Sequence, residues 1–200
     1  MKSSFLKRKG SLLGITEENA VLLPIIIVEN SLHILFQVRS KKMNTQPGEI
    51  SFPGGRIEKT ETPKEASVRE TKEELGVIEN DIEVFGELDY LLTPFNMIII
   101  PYIGFLDTDI NNMKVNKTEV EEVFSIPINY FINNKPQCYN TKVEPIPEEN
   151  FPYHLIPNES EYKFRNGTYP SYFYLYQDKV IWGFTARILK NFIELYSQNN

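Results

Sequence analysis

The sequence predicts an α+β fold, in which a mixed β-sheet carries helices packed against it. Three observations predict it: two adjacent β-rich runs near the N-terminus, one well-capped helix in the first half of the chain, and an amphipathic helix near the C-terminus. The elements do not alternate as in a regular βαβ array, and the helices exclude a pure β-sandwich.

The N-terminal half begins with two predicted strands. Residues 21–28 and 32–38 are β-rich runs, and the short polar spacer between them has the length of a hairpin turn. Pro47 and Gly48 then interrupt the chain, and residues 50–52 predict a short strand that ends at a Pro-Gly-Gly sequence.

The clearest helix follows. Thr62 is a predicted N-cap, Pro63 occupies the first helical position, and Glu65 completes a Thr-x-x-Glu capping box. Gly76 suits the C-terminal cap, so the spacing predicts a helix over residues 63–75.

The C-terminal half is predicted from the same kinds of signal. Strands are predicted over residues 82–92, 97–106 and 120–124, a short helix over 128–132, and a hairpin in which 162–165 and 169–174 flank Asn166-Gly167. The closing amphipathic helix presents one apolar face made of Ile181, Thr185, Ile188, Phe192 and Leu195. Trp182 and Phe184, at its start, are predicted to lie in the core.

Length and composition limit the function. The chain has 200 residues and 41% apolar residues, which predicts one domain over residues 1–200, with a C-terminal elaboration over about 135–200. The formal net charge of −6 argues against a basic face for nucleic acid. An anionic substrate would therefore need a local basic cluster or bound cations.

Cysteine content and hydropathy predict the surroundings of the protein. The single Cys138 cannot form an intramolecular disulfide, which favours a reducing compartment, and we expect the cytoplasm. The longest apolar run has eight residues, less than the ~20 that cross a bilayer, so no membrane association is expected. A homodimer is possible, although no heptad seam predicts one.

The predicted helix carries a group of carboxylates. At about 100° per residue, Glu73 lies about 60° to one side of Glu70 and Glu74 about 40° to the other. Such like charges repel, and a divalent cation would turn the repulsion into binding; all-oxygen ligands favour Mg²⁺ or Mn²⁺. Taken alone, such a cluster is more typical of a solvated helix face than of a metal site.

The surrounding pattern favours the metal site. Gly55 is followed after five residues by Glu61, and after seven more by a nine-residue run from Arg69 to Val77. This stretch, residues 55–77, resembles the Nudix box at all its charged and glycine positions, and only Thr71 stands where an aliphatic residue is usual. The resemblance implies the Nudix α/β/α sandwich fold and a metal-dependent hydrolase of phosphorus anhydrides.

The resemblance also implies roles for particular residues. Glu70, Glu73 and Glu74 would be catalytic ligands of the divalent ions, and the carbonyl of Gly55 would add a backbone ligand. Glu61 and Arg69 would orient those carboxylates. Gly54 would allow the substrate to approach the backbone closely.

A further acidic residue is usual downstream in the family. The segment Glu119-Val120-Glu121-Glu122 precedes Ile126-Pro127, and this spacing favours Glu119 as an extra catalytic ligand or base, with Glu122 as the rival. An exposed acidic edge that deters aggregation is the alternative.

Three segments outside the box resemble the coenzyme A diphosphatase branch. They are residues 35–40 with 48–55, residues 119–124 with Pro127, and the Ile-Trp-Gly-Phe-Thr-Ala sequence at 181–186. This resemblance implies hydrolysis of coenzyme A or acyl-coenzyme A to 3′,5′-ADP and a 4′-phosphopantetheine product. Phe36 and Gln37 depart from the Leu-Thr of that branch, and Asn44 replaces a basic residue.

Three side chains are predicted to bind the substrate. Arg39 is expected at a strand end facing the box, and Lys41 and Lys42 could meet the substrate phosphates. Two other functions remain open: the same chemistry on another nucleotide, such as ADP-ribose or a dinucleotide, and a non-catalytic nucleotide-binding module.

Overall fold

The structure is a computed structural model that describes residues 6, 8 and 11–198. The main sheet contains β1 (Glu17–Val28), β2 (Ser31–Arg39), β3 (Ile50–Ser51), β4 (Gly54–Arg56), β5 (Ile82–Glu87), β6 (Leu91–Leu92), β7 (Met97–Leu106) and β8 (Val120–Pro127). The helices are α1 (Pro63–Leu75), α2 (Ile128–Asn133) and α3 (Gly183–Gln198). A smaller sheet contains β9 (Gln137–Val143), β10 (Gly167–Tyr176) and β11 (Lys179–Trp182).

The main sheet is mixed, as predicted. Its strands follow the order β3-β2-β1-β7-β5, with β1 and β7 parallel and the other pairs antiparallel. Strands β4, β6 and β8 pair with β1, β7 and β2 respectively, outside this path. Strand β1 therefore has the central position, and β4 is attached directly to it.

Side chains from β1 alternate between two apolar cores, because successive residues of a strand point to opposite faces. Leu23 belongs to the core that contains Leu189 of α3, and Leu22 belongs to the core that contains Leu75 of α1. The sheet thus lies between α1 and α3, which confirms the α+β class and the α/β/α layering.

The capping signals of α1 are confirmed by its geometry. The Thr62 hydroxyl accepts a hydrogen bond from the Glu65 amide at 3.3 Å, and the Glu65 carboxylate accepts one from the Thr62 amide at 2.7 Å. Gly76 ends the helix in the left-handed conformation, and its N–H donates to the Lys72 carbonyl at 3.0 Å. Helix α1 spans Pro63–Leu75, the predicted range.

Thr71 is fully buried on the inner side of α1. Its hydroxyl donates to the Ser67 carbonyl one turn earlier, at 2.7 Å. A buried hydroxyl is costly only when it lacks a partner. Threonine can therefore stand at a position that is usually aliphatic in the family.

The hairpin predicted at Asn166-Gly167 is wrong. Residues 162–166 form no strand, and Gly167 is the first residue of β10. β10 pairs instead with β9 and, through a turn at residues 177–178, with β11. All residues of β9 are exposed, so it lacks the alternation that reveals a half-buried strand.

Two boundaries also differ from the prediction. The strand expected over residues 82–92 is interrupted, because β5 ends at Glu87 and β6 contains only two residues. Ile181, assigned above to the face of the closing helix, lies in β11, and α3 begins at Gly183. Ile181 is nevertheless fully buried in the core.

Among the described residues, no helix is both long enough and apolar enough to cross a membrane.

We expect Thr62→Ala to lower the free energy of unfolding by about 1 kcal/mol, because it removes the acceptor for the Glu65 amide. Chemical denaturation monitored by circular dichroism measures this difference. Thr62→Ser keeps the hydroxyl and should stay near the parent. Equal stability of the alanine and serine variants would contradict a stabilising cap.

Candidate active site

The site is built on the short strand β4. Gly54 pairs with Val21 of β1, and a Cβ atom at Gly54 would lie 2.4 Å from the Ala20 carbonyl oxygen. A Cβ atom at Gly55 would lie 2.5 Å from Oε1 of Glu70. Position 54 therefore requires glycine for packing on β1, whereas a side chain at position 55 would displace the Glu70 carboxylate of α1.

Glu74 is the most buried carboxylate of α1, with 4% of its surface exposed. Its Oε2 accepts hydrogen bonds from the Gly54 amide at 3.0 Å and from Nε2 of Gln37 at 2.9 Å. Burial raises the pKa of Glu74 to about 7, and the two donors offset part of that effect.

Gln37 is a site residue that the sequence reasoning missed, because it was treated only as a departure from the coenzyme A branch. It is 1% exposed on β2, Nε2 also lies 3.3 Å from the Ser51 hydroxyl, and Oε1 has no hydrogen-bond partner. A glutamine within an apolar strand is a signal in itself, since a buried amide requires polar partners.

Arg69 gathers the other carboxylates of the site. Its Nε and Nη2 donate to Glu61 at 3.0 and 2.8 Å, and its Nη1 donates to Glu70 at 2.8 Å and to Glu73 at 3.2 Å. Nη2 also reaches the Arg56 carbonyl at 3.1 Å. The guanidinium thus ties the loop before α1 to the helix.

These contacts shift the ionisation of the groups involved. The hydrogen bond to Glu61, followed by those to Glu70, raises the pKa of Arg69, and the same contact lowers the pKa of Glu61. The pKa of Glu70 is raised, because burial outweighs the stabilising contact with Arg69. Repulsion from Glu73 and Glu119 acts in the same direction.

The carboxylates of α1 differ in solvent exposure, which their angular positions on the helix did not predict. Glu74 is buried, the Glu70 side chain is 18% exposed, and the Glu73 side chain is 55% exposed. Among the described residues, no three acidic, histidine or cysteine side chains stand at metal-holding distances. The structure therefore shows a set of oxygen donors beside Gly55 rather than a closed metal cage.

Glu119 and Glu122 lie in different surroundings. Glu119 precedes β8, accepts a hydrogen bond from the Asn116 side chain at 3.2 Å, and its charge acts on Glu70. The backbone amide of Asn116 donates to the carbonyl of Glu74 at 2.9 Å, which attaches this loop to the end of α1. Glu122 instead forms an ion pair with Lys179 at 2.9 Å.

The predicted substrate-binding cations are not brought together. Arg39 ends β2 and lines the same cavity as Gly54, but its Nε and Nη2 donate to the Thr45 carbonyl at 3.3 and 3.2 Å. Lys41 and Lys42 are exposed in the following loop and do not line this cavity.

A cavity of about 490 Å³ adjoins Gly54 and Gly55. Trp182, Phe184 and Phe95 contribute to its wall. The core position predicted for Trp182 is wrong, because the residue is 42% exposed and stacks on Phe173. Phe184 is only partly buried against the core. A larger cavity of about 690 Å³ near Val77 and Asp107 contains none of the predicted site residues.

Comparison with known proteins identifies the family. Residues 19–141 match the NUDIX domain. The chain is 36% identical over 124 residues to the peroxisomal coenzyme A diphosphatase NUDT7 of Mus musculus, covering 62% of this chain and 51% of that protein.

Two further relatives extend the comparison. The mitochondrial coenzyme A diphosphatase NUDT8 of Homo sapiens is 30% identical, over 60% of this chain and 52% of that protein. The uncharacterized Nudix hydrolase NudL of Photorhabdus laumondii is 27% identical, over 85% of this chain and 80% of that protein. The chain thus spans about half the length of the mouse and human relatives.

We expect Arg69→Gln to lower the free energy of unfolding by about 1–3 kcal/mol, because it leaves partly buried carboxylates without their cation. The control is Lys72→Gln on the same helix. Lys72 pairs with the exposed Glu79, so its loss should cost about 0–1 kcal/mol. Urea denaturation measures both variants, and equal losses would contradict an organising role for Arg69.

Proposed function

Because the chain belongs to the Nudix family, we propose that it is a hydrolase that cleaves the diphosphate of a nucleoside diphosphate linked to another group. The observation that carries the proposal is the packing of Glu70 and Glu74 against the Gly54-Gly55 strand. This packing places the carboxylates of the box beside two glycines of β4, the first of which leaves no room for a side chain.

Members of the family generally require divalent cations, and the residues present here fit such ions. The donors are all oxygens, and the missing side chain of Gly55 leaves space for the Glu70 carboxylate beside the backbone. We assign Glu70, Glu73, Glu74 and the Gly55 carbonyl as ligands of Mg²⁺ or Mn²⁺, with Glu119 as a further ligand or base. Bound ions would neutralise the diphosphate and activate a water molecule for attack.

The protein's own groups would keep these carboxylates in position. Arg69, supported by Glu61, would hold Glu70 and Glu73. Gln37 and the Gly54 amide would hold one oxygen of Glu74 and leave its second oxygen for a ligand.

We further propose coenzyme A, or acyl-coenzyme A, as the substrate. The support is the resemblance of three segments outside the box, together with relatives that are named coenzyme A diphosphatases. The products would be 3′,5′-ADP and the (acyl-)4′-phosphopantetheine.

ADP-ribose or a dinucleotide is the competing substrate. The observation that favours it is Asn44, which stands where the coenzyme A branch has a basic residue that could hold an anionic substrate. A non-catalytic module is disfavoured, because Glu70, Glu73 and Glu74 are all present.

Cytoplasmic location and homodimer formation stay predictions, as does the absence of nucleic-acid and membrane partners.

We expect purified protein with Mg²⁺ or Mn²⁺ to convert coenzyme A into 3′,5′-ADP and 4′-phosphopantetheine, identified by mass spectrometry, and EDTA to abolish turnover. ADP-ribose and dinucleotides are assayed in parallel. Turnover of ADP-ribose without turnover of coenzyme A would refute the substrate assignment. Absence of turnover for every substrate with either metal would refute the hydrolase assignment.

Glu119→Gln and Glu122→Gln form a matched pair of variants. We expect Glu119→Gln to lower kcat by about 10²-fold or more, because it removes the proposed further metal ligand or base. Glu122→Gln should leave kcat nearly unchanged, because that carboxylate is paired with Lys179. The reverse order of effects would assign the downstream role to Glu122.

A further inference from the structure

We propose that the cavity beside Gly54 and Gly55 binds the uncharged pantetheine arm of the substrate, and that the phosphorylated nucleoside lies outside it. The proposal rests on the function proposed above and specifies which half of coenzyme A enters the cavity. Three properties of the cavity support it: its position, its charge and its outer wall.

The position of the cavity suits one half of a molecule that is cleaved in its centre. Gly54 and Gly55 belong both to its wall and to the site of the carboxylates. A diphosphate held there would therefore direct one of its two substituents into the cavity. The volume of about 490 Å³ lies within the range of small-molecule sites.

The charge of the cavity disfavours a further phosphate. Of the charged residues that the structure describes, Glu17, Glu49 and Arg39 line the cavity, and none is a lysine. The Arg39 guanidinium already donates two hydrogen bonds to the Thr45 carbonyl. A phosphate monoester would add roughly two negative charges next to these carboxylates. The pantetheine arm carries none.

The neutral groups of the cavity wall suit the pantetheine arm better than a phosphate. Amides need both donors and acceptors, which Asn19 and Ser51 supply beside the carboxylates. Met97, Ile99 and Ile188 provide apolar surface for the methylene groups and the thiol end of the arm.

The outer wall is formed by an ordered aromatic pair. Phe95 is 71% exposed and makes an edge-to-face contact with Phe184, with ring centroids 6.3 Å apart. The turn that presents Phe95 is held by Thr93, whose hydroxyl accepts from the Phe95 amide and donates to the Met97 carbonyl. A large exposed ring on a well-bonded turn is thus available to cover a ligand.

The test compares Phe95→Ala with Phe85→Ala. Both rings are exposed, so neither change should unfold the protein, but Phe85 lies on β5 and does not line the cavity. Binding of the two product halves, 4′-phosphopantetheine and 3′,5′-ADP, is measured with Mg²⁺ present by isothermal titration calorimetry, because neither contains the diphosphate bond that the enzyme would cleave. Fluorescence of Trp182, the only tryptophan of the chain and a wall residue, reports occupancy of the cavity.

We expect Phe95→Ala to weaken the binding of 4′-phosphopantetheine by about tenfold and to leave the binding of 3′,5′-ADP unchanged, while Phe85→Ala changes neither affinity. In turnover of coenzyme A with Mg²⁺, Phe95→Ala should raise KM and leave kcat within about twofold of the parent, because the ring contacts the ground state and the transition state equally.

Three results would overturn the proposal. If Phe95→Ala weakened only the binding of 3′,5′-ADP, the nucleobase and not the arm would lie in the cavity. Equal affinity of the parent and Phe95→Ala for every ligand, or no change in Trp182 fluorescence with 4′-phosphopantetheine, would exclude the arm from it. Because neither product half is hydrolysed, their binding is measured independently of turnover, and absence of hydrolysis refutes the enzymatic function alone.

Discussion

The close contact between α1 and the Gly54-Gly55 strand is the constraint on which the rest of the site depends. Glu70 packs where a side chain at position 55 would stand, and Glu74 receives the Gly54 amide. Two carboxylates are thereby withdrawn from water, which raises the pKa of both. Hydrogen bonds from Gln37 to Glu74 and from Arg69 to Glu70 offset part of this desolvation energy. A bound cation would offset the remaining repulsion between the carboxylates.

The fold was predictable from the sequence where its signals are local. The two ends of α1 depend on side chains within one turn of the helix, so Thr62 and Gly76 were sufficient to place them. Strand β9 pairs with a segment nearly thirty residues later and is exposed along its whole length, so neither alternation nor a turn marks it. For that reason Asn166-Gly167 was assigned to a hairpin that does not form.

The site was predictable in composition but not in depth. The spacing of the box identifies Glu70, Glu73 and Glu74, and a helical wheel gives their angular positions. Their burial depends on how closely α1 approaches β4. That approach involves residues of β1 and β2, which are distant from α1 in the sequence. Gln37 belongs to this second group, since only the tertiary structure brings it to Glu74.

The distribution of positive charge links the site to its chemistry. A diphosphate needs cations, yet the two arginines placed in the site already have partners: Arg69 binds three carboxylates, and Arg39 binds the Thr45 carbonyl. A guanidinium that already donates its hydrogen bonds contributes less to a new anion than a free one. Under the proposed function, the compensating charge would therefore come mainly from ions held by the carboxylates. An acidic chain can then act on an anionic substrate, because its acidic residues would be the means of binding those ions.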